Sequence, residues 1–438
     1  MTQVIVAATP FHGHFGPLYT IAADLAARGH EVLFLTGSRF ADRVTSAGMH
    51  FVALDPSADF DDRAMTAEFP AFADVTPGPP LHEFFWTQVF ADAIEPQYRQ
   101  LLQILAEFPA TVILHDTVFL GALAFPLRPQ DADRPTTIAL GVLPPMLLSD
   151  DAPPFTTGEQ PLSDTTGRTA RSRALNAEIR SVYAQTQQYL EKSFATVGAT
   201  LPEFIFDSVI TRPDHYLQLT SPSFEYPRSD APESFRCIGA LPQPSTTTYR
   251  TPAWWPELKS GRPVVVVTQG TLANDDLSEL IEPTMHGLAD LDVLLVVATA
   301  RSDGPDDLRR LVPQPPANAR IEGYVPFDRL LPYADVLVTN GGYGGVHTAL
   351  HNGVPLVVAG DTEDKPDVAA RVAWSGVGVD LRTGRPAPEA VQAAVRTVLA
   401  DHRFRRAALA IRDEFRQFDP LSAIAAVVDG SPSAGKQQ

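Results

Sequence analysis

At 438 residues the chain is too long for one ordinary hydrophobic core, and its 44% hydrophobic and 20% charged content is that of a globular, water-soluble protein of two domains. A formal net charge of −18 argues against a protein that grips nucleic acid or an anionic membrane, so any phosphate recognition must be local. The single cysteine, Cys237, rules out an intrachain disulfide and fits a reducing, cytoplasmic setting, with the thiol as a small buried hydrophobe.

In chain order, Val4–Ala8 predicts a buried strand, without the basic start and longer apolar run of a signal peptide. The loop Thr9–Pro17 leads into an amphipathic helix. Pro17 suits its first turn, Leu18, Ile21, Ala22 and Leu25 share one face, and Arg28-Gly29 ends it. Further strands are expected at Glu31–Thr36, Thr111–His115 and Thr136–Leu140. Residues 68–110 and 150–205 break the rhythm. They carry Phe84, Phe85, Trp86 and Phe90, and read as insertions walling an acceptor pocket, or as ordinary helix packing.

The stretch 241–262, rich in proline and threonine, predicts a linker between an N-terminal domain (1–240) and a C-terminal one (263–415). The second domain repeats the plan, with strands expected at Val264–Thr268, Val293–Ala298, Arg320–Glu322, Val336–Thr339 and Pro355–Ala359. Residues 416–438 read as a C-terminal helix able to cross back to the first domain, then a disordered tail from Ser431. Apolar strands alternating with helices give an α/β fold of two Rossmann-like, doubly wound parallel-sheet domains facing a central cleft. No apolar stretch approaches the ~20 residues of a membrane span, so no stable membrane association is expected.

Three constellations carry chemistry. The first is Thr9-Pro10-Phe11-His12-Gly13-His14-Phe15-Gly16-Pro17, at the cleft edge where the first strand ends. It lacks the G-x-G-x-x-G dinucleotide fingerprint, and the second strand ends at Thr36 without a ribose-holding acid. Two histidines there suggest proton transfer instead. The second is Asp116, at the end of a strand that should lie parallel to the first. It can meet the histidine loop and orient an imidazole, although alone it would equally serve as a helix cap. The third is Asn340-Gly341-Gly342-Tyr343-Gly344-Gly345, a glycine-rich strand-to-helix turn whose backbone N–H groups suit an anion. No Gly-Lys-Ser/Thr follows it, so an ATPase reading is weak.

With these motifs in view, the chain resembles the GT-B, family 1 glycosyltransferases of natural-product metabolism over nearly its whole length, most strongly at residues 1–36 and 264–381. The resemblance implies that His14 is the general base with Asp116 as its partner, while His12 lines the pocket. It implies that Tyr324-Val325-Pro326-Phe327 matches a Trp-x-Pro-Gln element, Tyr324 stacking on the nucleobase and the Val325 backbone bonding its edge. Gly270 and Thr271 match a loop beside the phosphates, and Asn340, Gly341, Gly342, Gly344 and Gly345 match the phosphate turn. Asp364 and Lys365 stand where the family has the Asp-Gln pair that bonds sugar hydroxyls. Phe11, His12, Phe84, Phe85 and Phe119 become acceptor-binding candidates.

The sequence departs from the pattern at four places, in the manner of a bacterial subgroup. Asn340 replaces a phosphate-binding histidine, Gly345 a serine, Thr348 a ribose-binding glutamate and Lys365 a glutamine. The implied activity is an inverting transfer of sugar, glucose as first choice, from a UDP-sugar to a hydroxyl of a lipophilic small molecule. The partners are the donor and this acceptor, with no nucleic acid and no cofactor or metal. Thr348 leaves room for a deoxythymidine nucleotide. Two alternatives stay open here, a nucleotide-sugar epimerase of the same fold and a non-catalytic nucleotide-sugar-binding module. His347 and His351, four apart on a helix, have a metal-compatible spacing but lack an evident third ligand. Asp61-Asp62 and Asp275-Asp276 read as solvated loop charges, and Trp374 as core packing.

Overall fold

The computed structural model describes residues 1–128, 133–242, 249–270, 274 and 276–430. Among these, two parallel sheets form, one for each half of the chain. The first contains β1 (Gln3–Ala7), β2 (Glu31–Thr36), β3 (His50–Ala53), β4 (Val112–Asp116), β5 (Thr136–Gly141), β6 (His215–Gln218) and β7 (Phe235–Cys237), ordered β3-β2-β1-β4-β5-β6-β7. The second contains β8 (Val264–Thr268), β9 (Leu294–Ala298), β10 (Ala319–Glu322), β11 (Val336–Thr339), β12 (Leu356–Val358) and β13 (Gly378–Asp380), ordered β10-β9-β8-β11-β12-β13.

The central strands are apolar on both faces because helices cover both. In the first sheet Ile5, Ala7, Leu33, Leu35 and Ile113 face one buried cluster, while Val4, Val6, Val32, Phe34 and Leu114 face another. The second sheet divides in the same way, with Val264, Val266, Leu294 and Leu337 on one face and Val265, Val267, Leu295 and Val338 on the other. This two-sided burial is why these segments read as continuous hydrophobic runs. The strands β3, β6, β7 and β13 were not expected. They are short, and β3, β7 and β13 are only partly buried, so their apolar signal is weak.

Each sheet has one place where successive connections leave in opposite directions. In the first it lies between β1 and β4, with Ala7 paired to His115; in the second it lies between β8 and β11, with Thr268 paired to Thr339. Loops leaving the carboxyl ends of such neighbours splay apart and open a crevice. Helix α1 (His12–Ala27) leaves the first crevice. Helix α2 (Pro79–Phe84) and the π-helical turn Phe85–Ala91 belong to the first insertion. Helices α3 (Tyr343–His351) and α4 (Lys365–Trp374) leave the second sheet. Helix α5 (Pro420–Val428) packs Ile424, Ala425, Val427 and Val428 into the same cluster as Leu18 and Ile21 of α1. The tail from Ser431 lies outside the described residues.

The two halves meet along a polar, buried seam. Glu225 accepts from Arg371 Nε and Nη2 at 2.8 and 2.7 Å, and from Arg228 at 2.9 Å. Asp367 accepts from the Thr156 and Gly158 backbone N–H groups at 2.9 and 3.3 Å. Trp374 sits edge-on to Tyr226, with ring centroids 5.2 Å apart.

Candidate active site

The helix α1 starts earlier than its sequence suggests, and this places His14 on a helical first turn rather than in a loop. Asp62 explains the early start. Its buried carboxylate accepts from His12 N at 2.7 Å and pairs with Arg39, which makes it a cap contributed from 50 residues away. Asp62 is therefore not the solvated charge expected of it. Pro17 then falls in the second turn of α1, where the carbonyl it leaves without its helical partner belongs to the exposed Gly13.

His14 Nδ1 lies 2.9 Å from Asp116 Oδ1, and the two side chains are 11% and 0% exposed. Asp116 is the last residue of β4, so strand pairing brings it beside the end of β1. Thr9 donates to it twice, from N to Oδ2 at 2.7 Å and from Oγ1 to Oδ1 at 3.1 Å, and Val118 N donates at 3.1 Å. Burial alone would raise the Asp116 pKa, but the His14 charge and hydrogen bond, with the two N–H groups, outweigh it and hold the carboxyl below its usual range. An ionised Asp116 accepts from Nδ1–H, so that Nε2 is the ring nitrogen able to exchange a proton. Thr9 was not singled out from the sequence, though it opens the histidine loop.

Beside His14 lies an aromatic cluster. Phe11, Phe60, Phe84 and Val89 are buried, with Phe69, Phe72, Phe85 and Phe90 against them. The Phe11 ring centroid is 5.6 Å from that of His14, 5.0 Å from Phe60 and 5.9 Å from Phe85. Phe11, Phe84 and Phe85 thus come together next to the base. Phe119 does not: it is fully buried in the main core of the first domain, as are Trp86 and Phe206. His12 is half-buried, and burial followed by Arg43 and Arg39 lowers its pKa.

In the second domain, Gly270 follows β8 and Asn340 follows β11, and their loops touch: Asn340 Nδ2 donates to the Gln269 carbonyl. Gly341 has φ +88, and a Cβ there would sit 2.6 Å from Val358 Cγ1, so glycine is required by conformation and by space. Gly342, Gly344 and Gly345 have open space where a Cβ would stand, at the N-terminus of α3. Backbone N–H groups at such a helix N-terminus can cradle an anion. Thr271 and Asp275 lie outside the described residues; Asp276 is exposed and paired with Arg385. Tyr324 is 66% exposed after β10, whereas Val325 is buried. Thr348 donates to Gly344 O at 2.8 Å within α3.

Asp364 and Lys365 open α4. The Asp364 side chain makes no cap bond, and burial pushes its pKa up to about 7, partly opposed by a hydrogen bond from its own backbone N–H. Lys365 is buried, pairs with Glu363 and donates to Thr362 Oγ1 at 3.0 Å; burial lowers its pKa to about 8. A cavity of about 380 Å³ opens beside this loop, between Thr157, Gly158 and Glu159 of the first domain and Gly360, Asp361 and Pro366 of the second.

His347 and His351 serve structure in two directions. His347 bonds Thr220 Oγ1 through Nε2 and the Tyr343 carbonyl through Nδ1, both at 2.8 Å, while His351 Nε2 bonds the Ala240 carbonyl at 3.1 Å. Tyr343 and Gln218 were missed by sequence reasoning. Gln218 Nε2 donates to Tyr343 Oη at 2.9 Å and so ties the end of β6 to the glycine turn.

A family model described as "Erythromycin biosynthesis protein CIII-like, C-terminal domain" matches residues 282–425. The chain is 38% identical over 436 residues to UDP-glycosyltransferase 2 of Phaeomoniella chlamydospora, covering 98% of this chain and 95% of the relative. It is 38% identical over 431 residues to 4'-demethylrebeccamycin synthase of Lentzea aerocolonigenes, covering 98% and 99%. Among solved structures, the glycotransferase of kitacinnamycin superposes with a TM-score of 0.73 at 21% identity over 98% of both chains, a likeness of fold.

Proposed function

The chain belongs to the UDP-glycosyltransferases of natural-product type, with the two facing domains of the GT-B fold, and on that premise we propose how it transfers sugar. The reading is an inverting, metal-independent displacement that moves glucose from UDP-glucose to a hydroxyl of a lipophilic small molecule. The observation that carries it is the 2.9 Å bond between His14 and buried Asp116 at the crevice of the first sheet, opposite the glycine turn of the second. His14 Nε2 takes the acceptor hydroxyl proton as that oxygen bonds the anomeric carbon. The bond from that carbon to the diphosphate breaks, and UDP leaves with the electron pair. Asp116 stabilises the imidazolium.

The first turn of α3, with Asn340, offers N–H donors to the charge developing on the diphosphate, the work a divalent ion does elsewhere. Tyr324, exposed beyond the carboxyl end of β10, is the base-stacking surface, and Asp364 accepts from a sugar hydroxyl. The phenylalanines around Phe11 receive an apolar acceptor. An epimerase or a binding module would use neither the His14–Asp116 pair nor this aromatic cluster, and a relative 38% identical over 98% of the chain carries the name UDP-glycosyltransferase 2.

The test is UDP release measured with and without a panel of phenols and macrolides. Acceptor-dependent release, with glycosylated product of inverted anomeric configuration, supports the reading; retained configuration overturns the single displacement. Competition between UDP-glucose and dTDP-glucose at equal concentration settles the nucleotide. Use of both with uridine ahead is expected, because the Glu-to-Thr change at Thr348 removes one charge-assisted hydrogen bond worth about 1.5–3 kcal/mol.

A further inference from the structure

The helix α2 does two things at once. Its Phe84 enters the aromatic cluster beside His14, and its His82 reaches into the other domain, where Nε2 lies 3.2 Å from the Glu363 carbonyl. The other ring nitrogen, Nδ1, lies 3.0 Å from the Tyr183 hydroxyl, and Tyr183 is itself buried. A carbonyl only accepts, so Nε2 carries the hydrogen and Nδ1 accepts from the Tyr183 O–H. Burial lowers the His82 pKa to about 4, which keeps the ring neutral, and the Glu363 carbonyl selects the tautomer.

The residue it grips is an unusual one. Glu363 has φ +49, a left-handed conformation that a non-glycine residue adopts at a cost, and it immediately precedes Asp364-Lys365. Its side chain is tied to Lys365, so the segment from Thr362 to Lys365 is closed on itself, with its outward carbonyl bound by His82. Strained backbone persists where surroundings over-determine it, and here part of that surrounding comes from the opposite domain.

We infer that His82 is a positioning residue for the transfer: through the Glu363 carbonyl it holds the Asp364-Lys365 pair against the acceptor-side helix, so that recognition of the donor's sugar depends on the first domain. The inference rests on the reading above that Asp364 bonds the sugar. The nucleotide contacts at Tyr324 and Asn340 lie on other loops, and His82 bonds neither of them. Loss of His82 should therefore weaken binding of the sugar part and spare binding of the nucleotide part.

The experiment measures Kd for UDP and for UDP-glucose by calorimetry on the full-length chain, in wild type, His82→Leu, His82→Gln, Tyr183→Phe and Asp364→Asn. His82→Leu should weaken UDP-glucose roughly fivefold to tenfold and leave UDP within twofold. His82→Gln, whose amide can donate to the same carbonyl, should recover most of the loss. If His82→Leu does not fold, Tyr183→Phe, which removes the O–H donated to Nδ1 together with a bond to Thr156, should show the same one-sided loss at smaller size. Equal weakening of UDP and UDP-glucose, no change in either, or no recovery with glutamine overturns the role of His82. A wild type that binds both alike, or an Asp364→Asn variant with an unchanged gap, overturns the sugar-loop reading and this inference with it. A gap that responds to Asp364→Asn but not to His82→Leu or Tyr183→Phe overturns the inference alone.

Discussion

Asp116 is held by four hydrogen bonds, and their geometry decides what its substitution does. Oδ1 accepts from His14, Thr9 Oγ1 and Val118 N, while Oδ2 accepts from Thr9 N. An asparagine places its amide hydrogens against one of these donors whichever way it turns, so Asp116→Asn is not silent in the fold. We expect it to lower stability by about 1–3 kcal/mol by urea denaturation and to lower kcat more than it raises donor KM. The His14→Ala variant should lose roughly 10²–10⁴-fold in transfer to an unactivated hydroxyl, with UDP affinity within twofold of wild type. Near-normal turnover on such an acceptor would falsify the base assignment. Asp364 gives a pH test. With its pKa near 7, raised by burial, it is mostly protonated below that value and a carboxylate above it. A carboxylate accepts from a sugar hydroxyl more strongly than a carboxylic acid does, by about 1 kcal/mol. UDP has a terminal phosphate that titrates in this range and UDP-glucose does not, so the readout is the comparison with Asp364→Asn, which shares that ligand titration. Relative to the variant, the ratio of UDP to UDP-glucose Kd in the wild type should rise roughly threefold to fivefold between pH 6 and 8, and parallel curves would show that Asp364 does not titrate against the sugar.

At the scale of elements, what could be read from the chain was whatever local pattern encodes. The central strands announced themselves because both faces are buried, and the glycine turn because strand, glycines and helix follow in order. The pairing of His14 with Asp116 was legible too, since parallel strands bring their carboxyl ends to one edge. What remained hidden is non-local. The start of α1 depends on Asp62, and the N–H groups that hold Asp116 ionised include one from across the sheet. Phe119 and Phe85 look alike in sequence, yet one is in the core and the other in the cluster beside His14. The glycine turn itself allows a paired test. Gly341→Ala meets both a φ of +88 and Val358, so it should lower the melting temperature and weaken UDP more than tenfold. Gly342 has φ −58 and empty space where a methyl would go, so Gly342→Ala should keep the melting temperature. If the diphosphate binds in that space as proposed, the methyl would meet it, and UDP affinity should fall all the same. Equal melting temperatures for the two variants would show that the left-handed conformation at Gly341 is not what the turn depends on.

At the scale of the whole molecule, the cleft is framed by a seam whose charges are buried, which a sequence with a net charge of −18 does not advertise. Glu225 and Arg371 are 146 residues apart and each unremarkable alone. Breaking such a buried pair costs about 3–5 kcal/mol when the remaining charge has no partner. Arg228 still neutralises Glu225, so Arg371→Met should fall at the low end by urea denaturation. Asp367 makes the more discriminating case. It is 3% exposed, and burial raises its pKa to about 6 despite the two N–H groups from Thr156 and Gly158 and the nearby Arg371. A carboxyl whose pKa is raised on folding binds its proton more tightly in the folded state. Its contribution to stability is therefore fully present below the ordinary value of 3.8 and is lost as pH rises through 6. Buried histidines with lowered pKa values, His347 among them at about 4, run the opposite way, so the total pH profile of the wild type does not isolate Asp367. The difference between wild type and Asp367→Asn does, because every other group is common to both. Asparagine meets the Thr156 and Gly158 donors less well, which adds an offset that does not change with pH. On top of that offset, the stability difference should shift in favour of the variant by on the order of 3 kcal/mol between pH 4 and 7 and then level off. Urea midpoints at each pH measure it. A difference that stays constant across that range would mean that Asp367 ionises as freely in the seam as in water, and that the two domains dock there without excluding solvent from it.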